Sequence, residues 1–146
     1  MSACTFFGHS DGYGLDETLL QRTIEDLILQ GVDTFYVGNH GYFDSVVFSC
    51  LKKLKNVYPH ISLAVVLAYL PKQKSEYDIY QGYSMYPEIE GGPERFAIER
   101  RNKWMIQQSD RCIVLIDRTF GGAYKFARMA KRRGLQVINL GAAAID

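Results

Sequence analysis

A chain of 146 residues suits one domain spanning 1–146, long enough to bury about two-thirds of the surface an unfolded chain exposes. Charged residues make up 23% but sum to a formal charge of only +1, so the protein has no global field suited to duplex DNA. Cys4, Cys50 and Cys112 lie far apart and form no CxxC pair, so neither a zinc ribbon nor a disulfide framework is suggested, and free thiols in a reducing cytoplasm are the simplest account.

The N-terminus lacks a charged region followed by a long apolar stretch, and no apolar run reaches membrane-spanning length. The expectation is a cytoplasmic protein without membrane contact. Cys4-Thr5-Phe6-Phe7 reads as a first strand closed by the turn-rich loop Gly8-His9-Ser10-Asp11-Gly12. From Asp16 to Gln30, Leu19, Leu20, Ile24, Leu27 and Ile28 recur at helical spacing, with Asp16 placed to cap the start and Gly31 to end it.

Thr34-Phe35-Tyr36-Val37 is a second strand, followed by the loop Gly38-Asn39-His40-Gly41 and a helix from about Phe43 to Val57. The nearly unbroken apolar run 61–68 predicts a central strand covered on both faces. Residues 69–92 carry Tyr69, Tyr77, Tyr80, Tyr83 and Tyr86 among prolines and glycines, and predict a long functional loop or lid. Pro93 can open the next helix; Cys112–Ile116 is a fourth strand, Gly122–Arg133 a helix, and Leu135–Leu140 a last strand. Lys131, Arg132 and Arg133 end that helix, where positive charge complements the helix dipole. Alternation throughout predicts an α/β fold of three layers, a mainly parallel five-stranded sheet with helices on both faces.

In such a fold, ligands bind where loops leave the carboxyl ends of the strands. Three of these loops are glycine-rich: Gly8-His9-Ser10, Gly38-Asn39-His40-Gly41, and Phe120-Gly121-Gly122. A glycine pair opening a helix lets the backbone approach a phosphate, whose charge the free N–H groups of the first turn can hold. Lys125 lies one turn further on, where a cation reinforces phosphate binding. Arg101 and Asn102 precede the fourth strand: a guanidinium fork suits phosphate, and an amide can read a base or ribose edge. The alternative places Arg95, Arg100 and Arg101 on a solvated face, paired with Glu94 and Glu99. His9 and His40 either donate to phosphate, act as acid and base, or simply hydrogen-bond their loops. Asp44 either caps the second helix or accepts from a ribose hydroxyl. Walker, GxGxxG, GxSxG, HxH and HExxH patterns are absent, so no cofactor and no metal are expected.

At these residues the chain resembles the SLOG superfamily, Rossmann-like proteins that include the Lonely Guy phosphoribohydrolases and the DNA-processing protein A family. The likeness is to a small bacterial and phage branch and covers nearly the whole chain. It is carried by Phe6-Phe7-Gly8-His9, by the run from Asp33 to Asn39 with Gly41 and Phe43-Asp44, and by Tyr58-Pro59-His60. It continues through the run from Val66 to Pro71, Arg101-Asn102-Lys103-Trp104-Met105-Ile106 with Ser109-Asp110, and Gly121-Gly122-Ala123 with Lys125-Phe126. The superfamily implies a Rossmann-like sheet and a pocket for nucleotides or nucleotide-derived signals. Its phosphoribohydrolases carry RKxxM and PGGxGTxxE motifs. Arg101 and Met105 match the first, and Gly121-Gly122 the paired glycines of the second. Phe120, Tyr124 and Lys125 depart from that motif, and Ala127 and Arg128 fall where its acidic residue belongs. Losing a general acid–base typically lowers a rate about a hundred- to ten-thousand-fold.

The sequence therefore predicts binding of a nucleotide or nucleotide-derived signal at the carboxyl-terminal edge of the sheet, without turnover. Two other readings stay open. One is a phosphoribohydrolase-like enzyme using Asp11, Asp44 or Asp117; the other is a DNA-associated accessory protein, which the near-neutral charge makes the weakest. A homodimer formed through helices is compatible with the sequence.

Overall fold

The structure, a computed structural model, describes residues 2–12, 14–70, 79–80, 82–87, 89 and 92–146. Side-chain alternation along the strands sets its layers. In β1 (Ala3–Gly8), Cys4 and Phe6 enter one apolar cluster while Phe7 enters another on the opposite side of the sheet. In β5 (Arg111–Leu115), Ile113 follows Phe6, whereas Cys112 and Val114 follow Phe7. Such strands must be covered twice, and helices do so. On the first face lie α1 (Glu17–Leu29), through Leu20, Ile24 and Leu27, and α2 (Tyr42–Val57), through Val47, Leu51 and Leu54. The second face is covered by α3 (Ala97–Gln108), through Met105 and Ile106, and by α4 (Gly122–Arg132), through Phe126, Ala127 and Ala130. Each large side chain so buried contributes about 1.5–3 kcal/mol of transfer free energy.

Among the described residues the sheet has six strands, in the order β4-β3-β2-β1-β5-β6, and every pairing is parallel. The remaining strands are β2 (Thr34–Val37), β3 (Ser62–Val66), β4 (Ser84–Met85) and β6 (Gln136–Asn139). This is the Rossmann-like α/β arrangement, with one strand more than the five expected. The extra strand, β4, comes from the segment read as a lid: Ser84 and Met85 pair with Val65 and Val66. Two residues carry too little alternation to register as a strand. Tyr80 and Tyr83 from the same segment pack edge-on against Phe48 of α2, with ring centroids 5.6 and 6.3 Å away. Tyr77 and the rest of 71–78 lie outside the described residues.

Local signals set the helix ends. The Asp16 carboxylate accepts from the Leu19 N–H at 3.1 Å and caps α1. A short 3-10 turn, Glu94–Phe96, follows Pro93 and leads into α3. Among the described residues no helix is long and apolar enough to cross a membrane.

The strand order reverses between β1 and β5. Their register sets Gly8 opposite Leu115, so the loops beginning at His9 and Ile116 leave the sheet at the same level. That reversal opens a crevice at the carboxyl-terminal edge.

A candidate anion and nucleotide site at the sheet reversal

The crevice is a cavity of about 310 Å³, near the lower end of the roughly 300–1,000 Å³ seen for small-molecule sites. Its walls come from β1 and its loop (Gly8, His9, Ser10), the β2–α2 loop (Gly38, His40) and α2 (Asp44). The other side is formed by Arg101 and Asn102 of α3, by Arg118, and by Gly121, Gly122 and Ala123 at the start of α4. Ten of the thirteen residues singled out from the sequence thus line one cavity. Asn39, Gly41 and Lys125 do not.

Arg101 organises one end. It is only 2% exposed, which overturns the solvated-face alternative. Glu99, one of the two acids expected to pair on that face, binds Lys103 and Lys125 instead, and Arg100 donates to the Pro93 carbonyl. The Arg101 fork is aimed inward: Nε donates to Asn102 Oδ1 at 2.7 Å, and Nη1 to Asn39 Oδ1 and the Val66 carbonyl, both at 3.0 Å. Nη2 lies 3.3 Å from His40 Nδ1. Burial and the nearby guanidinium hold His40 below the ordinary imidazole range, and a neutral ring can accept that contact. All four partners are neutral, and no described carboxylate lies within ion-pair distance of Arg101. Burial lowers its pKa too, but a guanidinium stays charged. The site thus contains a buried cation whose charge is only partly balanced.

Asp44 sits at the same end. Its carboxylate accepts the His40 N–H at 3.0 Å and so clamps the loop before α2. Burial pushes its pKa up to about 6, against the pull of that N–H and of Arg101. Gly38 lies between Asp44 and Arg101: a Cβ there would come within 2.9 Å of Asp44 Oδ2 and 3.0 Å of Arg101 Nη1. Only a bare backbone fits that gap. Gly8 is confined similarly, since any Cβ would strike the Phe43 ring.

The α2 N-terminus is partly satisfied from within. The Ser10 carbonyl accepts the Tyr42 N–H at 2.8 Å, and Gly41 sits tight against Ser10. The α4 N-terminus differs. Gly121 holds φ at +95°, no side chain caps the helix, and its first residues line the cavity. Unpartnered first-turn N–H groups carry the positive end of the helix dipole to an anion. Lys125, expected to help here, is exposed and binds Glu99 across to α3.

Sequence reasoning passed over Arg118 as a site residue. It lines the cavity, lies 3.5 Å from Asp11 Oδ2 and 3.6 Å from Asp117 Oδ1, and stands over the Phe120 ring at 5.6 Å. The available signal was its place between the fourth strand and the glycine pair. Asp117 also approaches His9, with Oδ1 3.3 Å from Nε2. Among the described residues no cluster of three His, Cys, Asp or Glu side chains could hold a metal.

The fold is that of a Rossmann-like α/β protein, with a crevice at the sheet reversal. No protein-family model matches the chain. It is similar to a UPF0398 protein of Halalkalibacterium halodurans, 27% identical over 127 residues, a match spanning 80% of this chain and 67% of that protein. The likeness points towards a bacterial family whose name assigns no activity.

Proposed function

We propose that this protein is a SLOG-type binder of a nucleotide or nucleotide-derived signalling ligand, which it holds without cleaving. The observation that carries the reading is the joint presence, in one cavity, of an uncapped helix N-terminus at Gly121-Gly122 and the incompletely balanced Arg101. The first suits a phosphate; the second, with Asp44 and the bare backbone of Gly38, suits the polar edge of a sugar. Exposed Tyr69, whose ring centre is 6.4 Å from that of His40, and exposed Phe120 offer faces on which a base can stack. Residues of α4 support the reading without turnover. Ala127 is fully buried in the core and Arg128 lies against the Tyr124 ring, so neither supplies the carboxylate of the phosphoribohydrolase motif. Three free thiols, two of them buried, suit a cytoplasmic setting.

Thermal unfolding against a panel of nucleoside mono-, di- and triphosphates and cyclic nucleotides tests this. A ligand at a hundredfold excess over its Kd contributes about 2.7 kcal/mol, a rise of several degrees in Tm. No shift with any phosphorylated ligand at millimolar concentration would remove the proposal.

One observation favours a second reading. The Asp44 carboxyl lines the cavity and has a pKa of about 6, within the range of a general acid–base near neutral pH. An N-glycoside hydrolase built on Asp44 would release free base from nucleoside monophosphates. Chromatography of such incubations separates the two readings.

A further inference from the structure

His9 occupies an unusual position in the cavity wall. The residue is only 6% exposed, and its Nε2 makes no hydrogen bond to a described group. Nε2 faces Asp117 Oδ1 at 3.3 Å, but the pair is out of line for a hydrogen bond. The Nδ1–Cε1 edge faces the glycine loop: a Cβ on Gly121 would lie 4.0 Å from both atoms. The buried imidazole therefore lies between a carboxylate and the proposed phosphate position at the start of α4.

Resting on the nucleotide-binding reading, we propose that His9 reads the terminal phosphate, selecting phosphomonoesters over phosphodiesters. The negative charge of Asp117, 3.3 Å from Nε2, favours the imidazole proton on that nitrogen and leaves a lone pair on Nδ1, on the edge that faces Gly121. A lone pair repels a bare phosphate oxygen and attracts one that carries a proton. A phosphomonoester has a second ionisation near pH 6 and can carry that proton. A phosphodiester, cyclic or bridging, has no second ionisation and presents only bare oxygen. The monoester thus binds with one proton shared between its oxygen and Nδ1.

The surrounding charges agree. Asp11 lies in the same loop as His9; Asp117 and Arg118 follow β5; across the cavity stand Asp44 of α2 and Arg101 of α3. From α4 only Gly122, Ala123 and Phe126 line the wall, none of them charged. Burial and Arg118 hold His9 below the ordinary imidazole range, against the opposing pull of Asp117 and Asp11, so the free protein carries the neutral ring. Above pH 7 both His9 and the monoester are deprotonated, and binding must take a proton from solution.

The test compares nucleoside 5′-monophosphates of adenine, guanine, cytosine and uracil with their 3′,5′-cyclic counterparts. Titration calorimetry at pH 6, 7 and 8, in phosphate-free buffers of differing ionisation enthalpy, counts the protons. The expected result is at least tenfold tighter binding of one monophosphate than of its cyclic form. That monophosphate should take up close to one proton at pH 8, and its affinity should fall towards tenfold per pH unit above pH 7. In His9→Asn an amide donor replaces the lone pair, so the two ligands should converge within about threefold and the pH slope should flatten. Asp117→Ala, which frees the tautomer, should narrow the gap in the same direction. Equal binding of both ligands to the wild type, or monoester binding without proton uptake, overturns the assignment while leaving the binding site intact. Unchanged discrimination in a folded His9→Asn variant overturns it as well. If no nucleotide of either kind binds, the underlying reading falls and takes this one with it.

Discussion

Arg101 and Val66 are joined across the second face of the sheet: Nη1 of a helix residue donates to the carbonyl at the end of β3, 3.0 Å away. Strand β3 thus ends on a side chain from α3, and the same nitrogen also holds Asn39 in the neighbouring loop. A single guanidinium thus ties α3 to the end of β3 and to the β2–α2 loop.

Arg101→Lys should therefore cost more than a conservative label suggests. Lysine keeps the charge but cannot serve Asn102, Asn39, Val66 and His40 from one planar fork. Leaving buried acceptors unpaired should lower stability by about 2–3 kcal/mol in urea unfolding and weaken nucleotide binding together. A change below about 0.5 kcal/mol would show that Arg101 does not tie these elements together.

The paired glycines should separate on substitution. Gly121 has φ +95°, so Gly121→Ala forces a side chain into the left-handed region and should cost about 1–2 kcal/mol. At Gly122 a Cβ meets nothing within 4 Å, so Gly122→Ala should leave Tm within a degree or two. A ligand approaching that backbone would meet the added methyl, so nucleotide affinity should drop at least tenfold in an otherwise intact protein. Equal affinity in Gly122→Ala and wild type would place the phosphate elsewhere.

Much of this architecture is legible in the sequence because its physics is local. Strand Thr34–Val37 is found at its predicted bounds, and Asp16 caps the helix it was expected to cap. The three glycine loops meet because parallel strands all deliver their carboxyl ends to one edge. What the sequence conceals depends on three-dimensional competition. Lys125 has the right spacing for a phosphate site, but Glu99 lies within reach on a different helix. Arg101 stands among Arg95, Arg100, Glu94 and Glu99, and charge spacing alone does not reveal that it turns inward while they do not. The pairing of Asp117 with His9 joins residues 108 positions apart, through the β1–β5 register.

Thiol chemistry offers a check on the layers themselves. Burial pushes Cys4 and Cys112 far above the ordinary thiol range, and both are fully enclosed by the sheet and its helices. Cys50 is only partly covered and is raised to about 11. Since the thiolate is the reactive form, iodoacetamide at pH 8 should modify native protein slowly and at Cys50 first. All three should react in denaturant. Rapid native labelling of Cys112 would contradict the covering of β5 by α3 and α4.

Asp44 should make stability depend on pH in a direction opposite to the usual carboxylate. Its folded pKa, about 6, lies above the ordinary value of 3.8, so the folded state binds the proton more tightly than the unfolded chain does. Its contribution is fully favourable below about pH 4 and is lost as pH rises through 6. Asp44→Asn keeps an oxygen for the His40 N–H without the charge. The variant should match wild type near pH 4 and exceed it by about 1–3 kcal/mol at pH 7–8, using about 1.36 kcal/mol per pKa unit. His9 and His40, both lowered, act in the other direction between about pH 6.5 and their folded values, losing stability as pH falls. Both are present in wild type and variant alike, so the difference between the two unfolding curves isolates Asp44. A gap that is constant from pH 4 to pH 8 would mean that Asp44 has the same pKa in the folded and unfolded chain. In that case the Arg101 charge would be balanced more fully than the geometry indicates, and less of it would be left for a ligand.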